Sequence, residues 1–284
     1  MPMTAVMPVA PLHFGAAGES LFGCYHEPPS GRRRNCAILI CPPMGHEYIN
    51  CHRALRQLAT RLCEAGFPVL RFDYYGCGDS FGNDNEGTVE RWLEDTSLAI
   101  CEIRRRSDLA HVCVVGIRLG AALAMISGAR RRDLESLILW DPVVDGNSYL
   151  KELQRLQKEM SRFRPRPKSG WKSADRLEVL GFPIPYRLRV ELEKLNLLAV
   201  VEAPAKNVLV VESKIESDRQ ESCHEDGQAS ANTGLKEHLS QSVTRLEHQR
   251  VNSPQIWLPT ANGSLLVPSP LLQSVVAWVC RMHS

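Results

Sequence analysis

Over the first half of the chain, short continuous apolar runs alternate with longer stretches whose apolar residues recur three and four positions apart. The first pattern predicts strands buried on both faces and the second predicts amphipathic helices. Their alternation predicts a parallel sheet covered by helices, an α/β fold. Residues 12–14 and 21–26 read as an opening antiparallel pair. Residues 36–41 (CAILIC) read as a buried strand that stops at Pro42 and Pro43, followed by a helix with Leu55, Leu58, Ala59 and Leu62 on one face. Gly66 ends that helix, and residues 67–72 (FPVLRF) make the next strand. A loop rich in Gly and Asp, 73–87, leads to a helix whose buried face is Val89, Trp92, Leu93, Thr96, Ile100 and Ile103. Strands at 111–115 (HVCVV) and 137–140 (LILW) flank a helix over 119–129.

The rhythm breaks after Asp141. Residues 146–203 read as helical and basic, with Pro165, Pro167, Pro183 and Pro185 as punctuation and no strand pattern. This predicts a helical cap inserted into a single domain that spans residues 1–284. Strand, helix, strand and helix resume at 207–211 (NVLVV), 236–246, 255–258 (QIWL) and 270–281, and the polar stretch 212–234 reads as a long loop.

Composition narrows the classes. Apolar residues make up 44% of the 284, enough for a full core. The 34 Lys and Arg against 32 Asp and Glu leave a formal charge of +2, which excludes a mainly electrostatic nucleic-acid binder. The basic stretches 32–34 and 162–172 read as solvated loop charge. No run approaches the ~18 apolar residues of a membrane span, and no basic segment precedes an apolar one at the N-terminus as in a secretory signal. Cys36, Cys41, Cys63, Cys101, Cys113 and Cys280 lie in apolar stretches, where cysteine behaves as a small hydrophobe. With no CxxC and no zinc-type Cys/His spacing, the pattern points to a reduced, cytoplasmic chain that calls for no metal and no cofactor.

The chemistry concentrates in VVGIRLGAALA, residues 114–124: a strand, a sharp turn and a helix, with Gly116 and Gly120 two positions either side of Arg118. In a G-x-S-x-G turn the central residue is a serine nucleophile held in a strained conformation. A guanidinium in its place has five donors, no lone pair to attack with, and stays protonated. Together with CPPMGHEY (41–48), FPVLRFDYYGCGDS (67–80) and LWDPVVDG (139–146), the turn resembles the α/β-hydrolase superfamily, in particular bacterial hydrolases of the exosortase-associated and serine-aminopeptidase-like kinds. The resemblance implies an α/β-hydrolase fold, a mostly parallel central sheet flanked by helices with a helical cap. It also implies a lineage of ester, thioester or amide hydrolysis, with a small-molecule acyl substrate or ligand, free or bound to a carrier.

The same resemblance places an acid and then a histidine later in the chain. For the acid, the loop after NVLVV offers Glu212, Glu216 and Asp218. The loop after QIWL reads PTANGSLLVP and has no histidine; Asn262 and Gly263 stand where one is expected, and the nearest are His248 and His283. A Ser–His–acid mechanism therefore fails on the residues themselves.

Two readings of the site follow. In the first, an enzyme, His46 and Glu47 activate water, Arg118 stabilises developing negative charge, and backbone amides near Met44, Gly45 and Leu119 keep an oxyanion hole. In the second, a degenerate hydrolase, Arg118 at a helix N-terminus recognises an anionic or acyl ligand, or the chain binds a partner protein. Against both stands an Arg118 neutralised internally by Glu47, Asp141 or Asp145, and Asp141 reads as such a partner in preference to an alternative acid. Asp73 and the GCGDS turn, including Cys77 and Ser80, read as turn structure, and His52 as surface or packing.

Overall fold

The computed structural model describes residues 9–29, 31–161, 177–214, 225–260 and 263–284. In chain order the elements are β1 (Val9–Phe14), β2 (Leu21–His26), β3 (Ala37–Cys41), α1 (Gly45–Glu64), β4 (Val69–Phe72), α2 (Val89–Ser107), β5 (Val112–Ile117), α3 (Leu119–Arg131) and β6 (Ser136–Trp140). There follow α4 (Gly146–Ser161), β7 (Leu177–Val179), β8 (Phe182–Ile184), α5 (Tyr186–Glu193), β9 (Asn207–Lys214), α6 (Glu225–Ser240), β10 (Arg245–Asn252) and α7 (Ser269–Met282).

Eight strands share one sheet, in the order β1-β2-β4-β3-β5-β6-β9-β10. β2 runs antiparallel to β1 and β4, and the six strands from β4 to β10 are parallel. This is the α/β-hydrolase arrangement. The central strands are apolar throughout because both faces are covered. In β3, Ala37, Leu39 and Cys41 join the core under α2 and α3, while Ile38 and Ile40 join the core under α1 and α7. Helix α1 turns Leu55, Leu58, Ala59 and Leu62 to the sheet, each leucine contributing about 1.5–3 kcal/mol of burial. Helix α2 starts at Thr88, whose side chain accepts from Arg91 N at 3.2 Å, and ends at Asp108 in a left-handed conformation.

Three expectations need correction. QIWL is a turn and not a strand; the last strand is β10, Arg245–Asn252, and α6 ends at Ser240 rather than running through 246. β10 is the sheet edge, so its side chains are half-buried and its sequence RLEHQRVN lacks an apolar run. Ile256 and Trp257 are buried because they plug the core beside the site, not because they pair in a ladder. The segment between β6 and β9 contains a β7–β8 hairpin as well as helices α4 and α5, where no strand was expected. The expected loop 212–234 is shorter than its polarity suggests: β9 runs on to Lys214 and α6 begins at Glu225. The basic stretch 162–172 lies outside the described residues.

Candidate active site

A single residue, Arg118, turns the chain from β5 into α3, with φ 53° and ψ −122°. For a residue with a side chain such a conformation costs about 1–3 kcal/mol and persists only where the surroundings enforce it. Here Arg118 N donates to Trp140 O at 3.0 Å, and Arg118 O accepts from Ala121 N at 3.1 Å and Val143 N at 3.3 Å. The flanking glycines allow the turn to be this tight. A Cβ on Gly116 would lie 2.4 Å from Ala121 Cα, and one on Gly120 would lie 2.3 Å from Pro42 O.

The Arg118 side chain is 1% exposed and is met by two carboxylates. Its Nε donates to Glu47 Oε1 at 3.0 Å and its Nη2 to Glu152 Oε2 at 2.7 Å. Tyr149 Oη donates to the other Glu47 oxygen at 2.9 Å. The guanidinium carbon lies 5.4 Å from the Tyr149 ring centre and 4.8 Å from that of Trp257. Burial alone would lower the Arg118 pKa, but Glu47 and Glu152 reverse that and hold it above its ordinary value. Two carboxylates against one guanidinium give the cluster a formal charge of −1, with Glu152 at 29% the exposed member. An incoming anion meets net negative charge.

Asp141 is not the partner of Arg118. Its carboxylate accepts Ser213 N at 3.1 Å on both oxygens, and burial pushes its pKa up to about 7. The β6–α4 turn carries it past Arg118 toward β9, at φ 43°. Asp145 is spent on the start of α4, accepting from Ser148 N at 2.8 Å.

His46 and Glu47 are neighbours on α1 but do not form a pair. Consecutive helical side chains diverge, and Glu47 gives both oxygens to Arg118 and Tyr149. His46 is buried, its Nε2 has no partner among the described residues, and burial, with Arg118, lowers its pKa to about 4. Gly45, at φ 57° one residue past Met44, lies under the hairpin, and a Cβ added there would meet Phe182 Cβ at 3.4 Å. Leu119 is the buried first residue of α3.

On β9, Glu212 accepts from His248 Nε2 at 2.8 Å and from Arg250 Nε at 3.0 Å, both on β10, which ties the edge strand to the sheet. Glu216, Asp218 and Asn262 lie outside the described residues; Gly263 has φ 68°. His283 ends α7 beside Phe67. Ser80 Oγ donates to Asp73 O at 2.6 Å and accepts from Phe22 N at 2.8 Å, so it is a turn residue. Burial pushes the Cys77 thiol up to about 12, which leaves it protonated. All cysteines among the described residues are unpaired.

Glu152, Tyr149 and Trp257 were not anticipated from the sequence. The only trace of the first two is their spacing of three on one helix face of α4.

A family model for serine aminopeptidase, S33, a hydrolase family, matches residues 38–191. No curated protein matches the chain. Among solved structures, Est1E from Butyrivibrio proteoclasticus with ferulic acid bound is 16% identical, with a TM-score of 0.65 over 95% of this chain and 98% of that one. A hypothetical protein from Pseudomonas aeruginosa is 14% identical, with a TM-score of 0.66 over 100% and 96%. The mouse alpha/beta hydrolase domain-containing protein 10 is 17% identical, with a TM-score of 0.57 over 96% and 99%. Among the described residues, no helix is long and apolar enough to cross a membrane.

Proposed function

The chain belongs to the serine aminopeptidase S33 family of α/β-hydrolases, and from that premise we propose that it is a catalytically silent member whose nucleophile position has become a structural ion-pair core. The carrying observation is the engagement of Arg118 by Glu47 and Glu152 at 1% exposure. A guanidinium cannot attack an acyl carbon, and this one has neither freedom to meet a ligand nor net positive charge around it. Helix α4 and the β7–β8 hairpin then act as a fixed cap. Helix α4 supplies Tyr149 and Glu152 to the cluster, and the hairpin seats Phe182 against Gly45, where an oxyanion hole would open. The role left to such a protein is to bind a partner protein rather than to turn over a substrate, with the acyl class inherited from the family as the first set of ligands to exclude.

One observation favours a hydrolytic alternative: the His46 Nε2 is unpartnered and its imidazole neutral, as a general base requires. The two separate in one assay. The purified chain is offered p-nitrophenyl acetate and butyrate and an acyl thioester, and is treated with a fluorophosphonate probe. The expected result is no turnover above buffer and no labelled serine. Saturable turnover that disappears in His46→Ala would overturn the silent reading in favour of water activation.

A further inference from the structure

Beside α1, a cavity of about 80 Å³ opens between that helix and strands β2 and β4. On the measure by which one water needs about 10–15 Å³, it has room for roughly five to eight waters, or a ligand of about that many non-hydrogen atoms. Its wall carries Arg71, Asp73, Asp79, Tyr48 and Cys24.

The charges on this wall are not paired with one another. Arg71 sits on the interior strand β4, half-buried, directly across from Cys24 in register. Its single hydrogen bond is from Nε to His26 Nε2, at a long 3.4 Å. No carboxylate of the described residues lies within the 4.0 Å of an ion pair, and burial draws its pKa below the ordinary value. A guanidinium has five donors, so the two Arg71 Nη nitrogens are left with no protein partner among the described residues and open to solvent. Asp79, exposed at the mouth, likewise has no cationic partner among the described residues. Asp73 is held by Tyr48 Oη at 2.7 Å and Asp79 N at 3.1 Å, and still keeps free lone pairs. Arg56 on α1 adds a second positive charge nearby, so the surroundings balance at two of each sign.

A half-buried cation and a rim carboxylate thus line the same cavity without an ion pair between them. A simple anion would gain Arg71 but meet Asp73 and Asp79, and a simple cation would meet the reverse. We infer that this cavity binds a small zwitterion of the α-amino-acid class, with its carboxylate on the Arg71 guanidinium and its ammonium toward Asp79 and Asp73. Arg71 then gains the planar two-point partner its fork suits, and the volume limits the ligand to a small side chain. The site stands apart from Arg118, so it rests on nothing claimed there and its failure leaves that reading unchanged.

The test uses the full chain, ¹⁵N-labelled, titrated with L-alanine and separately with sodium acetate and ethylammonium chloride, each of which carries half the charge pattern. The expected result is saturable amide shifts at Cys24, Tyr48 and Arg71 to Asp73 with alanine, fitting at least tenfold tighter than either half-ligand. Arg71→Met should abolish the response, and Asp79→Asn should weaken it at least threefold. Replacing an unpaired half-buried cation by an apolar chain of similar length is a mild change for the fold, and the three-ligand comparison on the unmodified chain does not depend on it. No saturable shift with alanine, or acetate binding as tightly as alanine, would overturn the assignment.

Discussion

A buried arginine is tolerable at position 118 because two carboxylates and two ring faces answer its charge. Arg118→Ala strands Glu47 as a carboxylate at 1% exposure, so it should cost about 3–5 kcal/mol in urea unfolding. Glu152→Gln should cost clearly less, since at 29% exposure water can replace part of what is lost. A cost for Glu152→Gln equal to that of Arg118→Ala would contradict this ranking. Asp141 gives a pH signature. Burial raises its carboxyl from 3.8 to about 7, so between those values the folded chain holds a proton that the unfolded chain has released. Its contribution is therefore present below about pH 4 and lost as pH rises through 7. His46 works the other way: its pKa falls from 6.5 to about 4, and its contribution is lost as pH falls through that range. Comparing wild type with Asp141→Asn isolates the first. The stability difference in favour of wild type should shrink from pH 4 to pH 8, and a pH-independent difference would argue that the carboxyl titrates normally.

At the scale of elements, the elbow depends on close approach. Gly120→Ala puts a methyl 2.3 Å from Pro42 O and 2.4 Å from Cys41 O, both backbone atoms that cannot yield without shifting β3. It should lose more than about 3 kcal/mol or fail to accumulate as folded protein. Gly234→Ala, on α6, meets nothing nearer than Leu198 Cδ1 at 3.7 Å and should instead stabilise by about 0.4–1 kcal/mol. Thermal melts of the two variants give opposite signs if the packing is as described. Elements were legible where burial wrote a period. CAILIC, LILW and the α1 and α2 faces sit under helices or against the sheet and carry the expected spacing. β10 was not legible, because an edge strand takes its stability from ladder hydrogen bonds and leaves its side chains half in water. QIWL misled for the complementary reason: Ile256 and Trp257 are apolar to fill space in the core, Trp257 against Arg118, and plugging leaves no periodicity.

For the whole molecule, the family fold is kept while position 118 carries a side chain that cannot act as a nucleophile. Arg118→Ser would restore a hydroxyl at the elbow, yet residues 253–268 contain no histidine, so the variant should stay inactive on p-nitrophenyl esters. Appreciable turnover there would mean that His46 or His248 reaches the serine. What the sequence determined alone is the alternation that builds a helix-covered parallel sheet, and a side chain at position 118 that cannot attack. Both are local: periodicity follows from backbone geometry, and a guanidinium lacks a reactive lone pair in any surroundings. What only the tertiary structure decided is the fate of that charge. Its partners lie 71 and 34 positions away, on α1 and on a helix of the inserted segment. Asp141, the nearer candidate by sequence, is turned toward β9 instead. Which carboxylate meets a buried cation depends on how distant segments stack over the sheet edge, and no spacing along the chain records that.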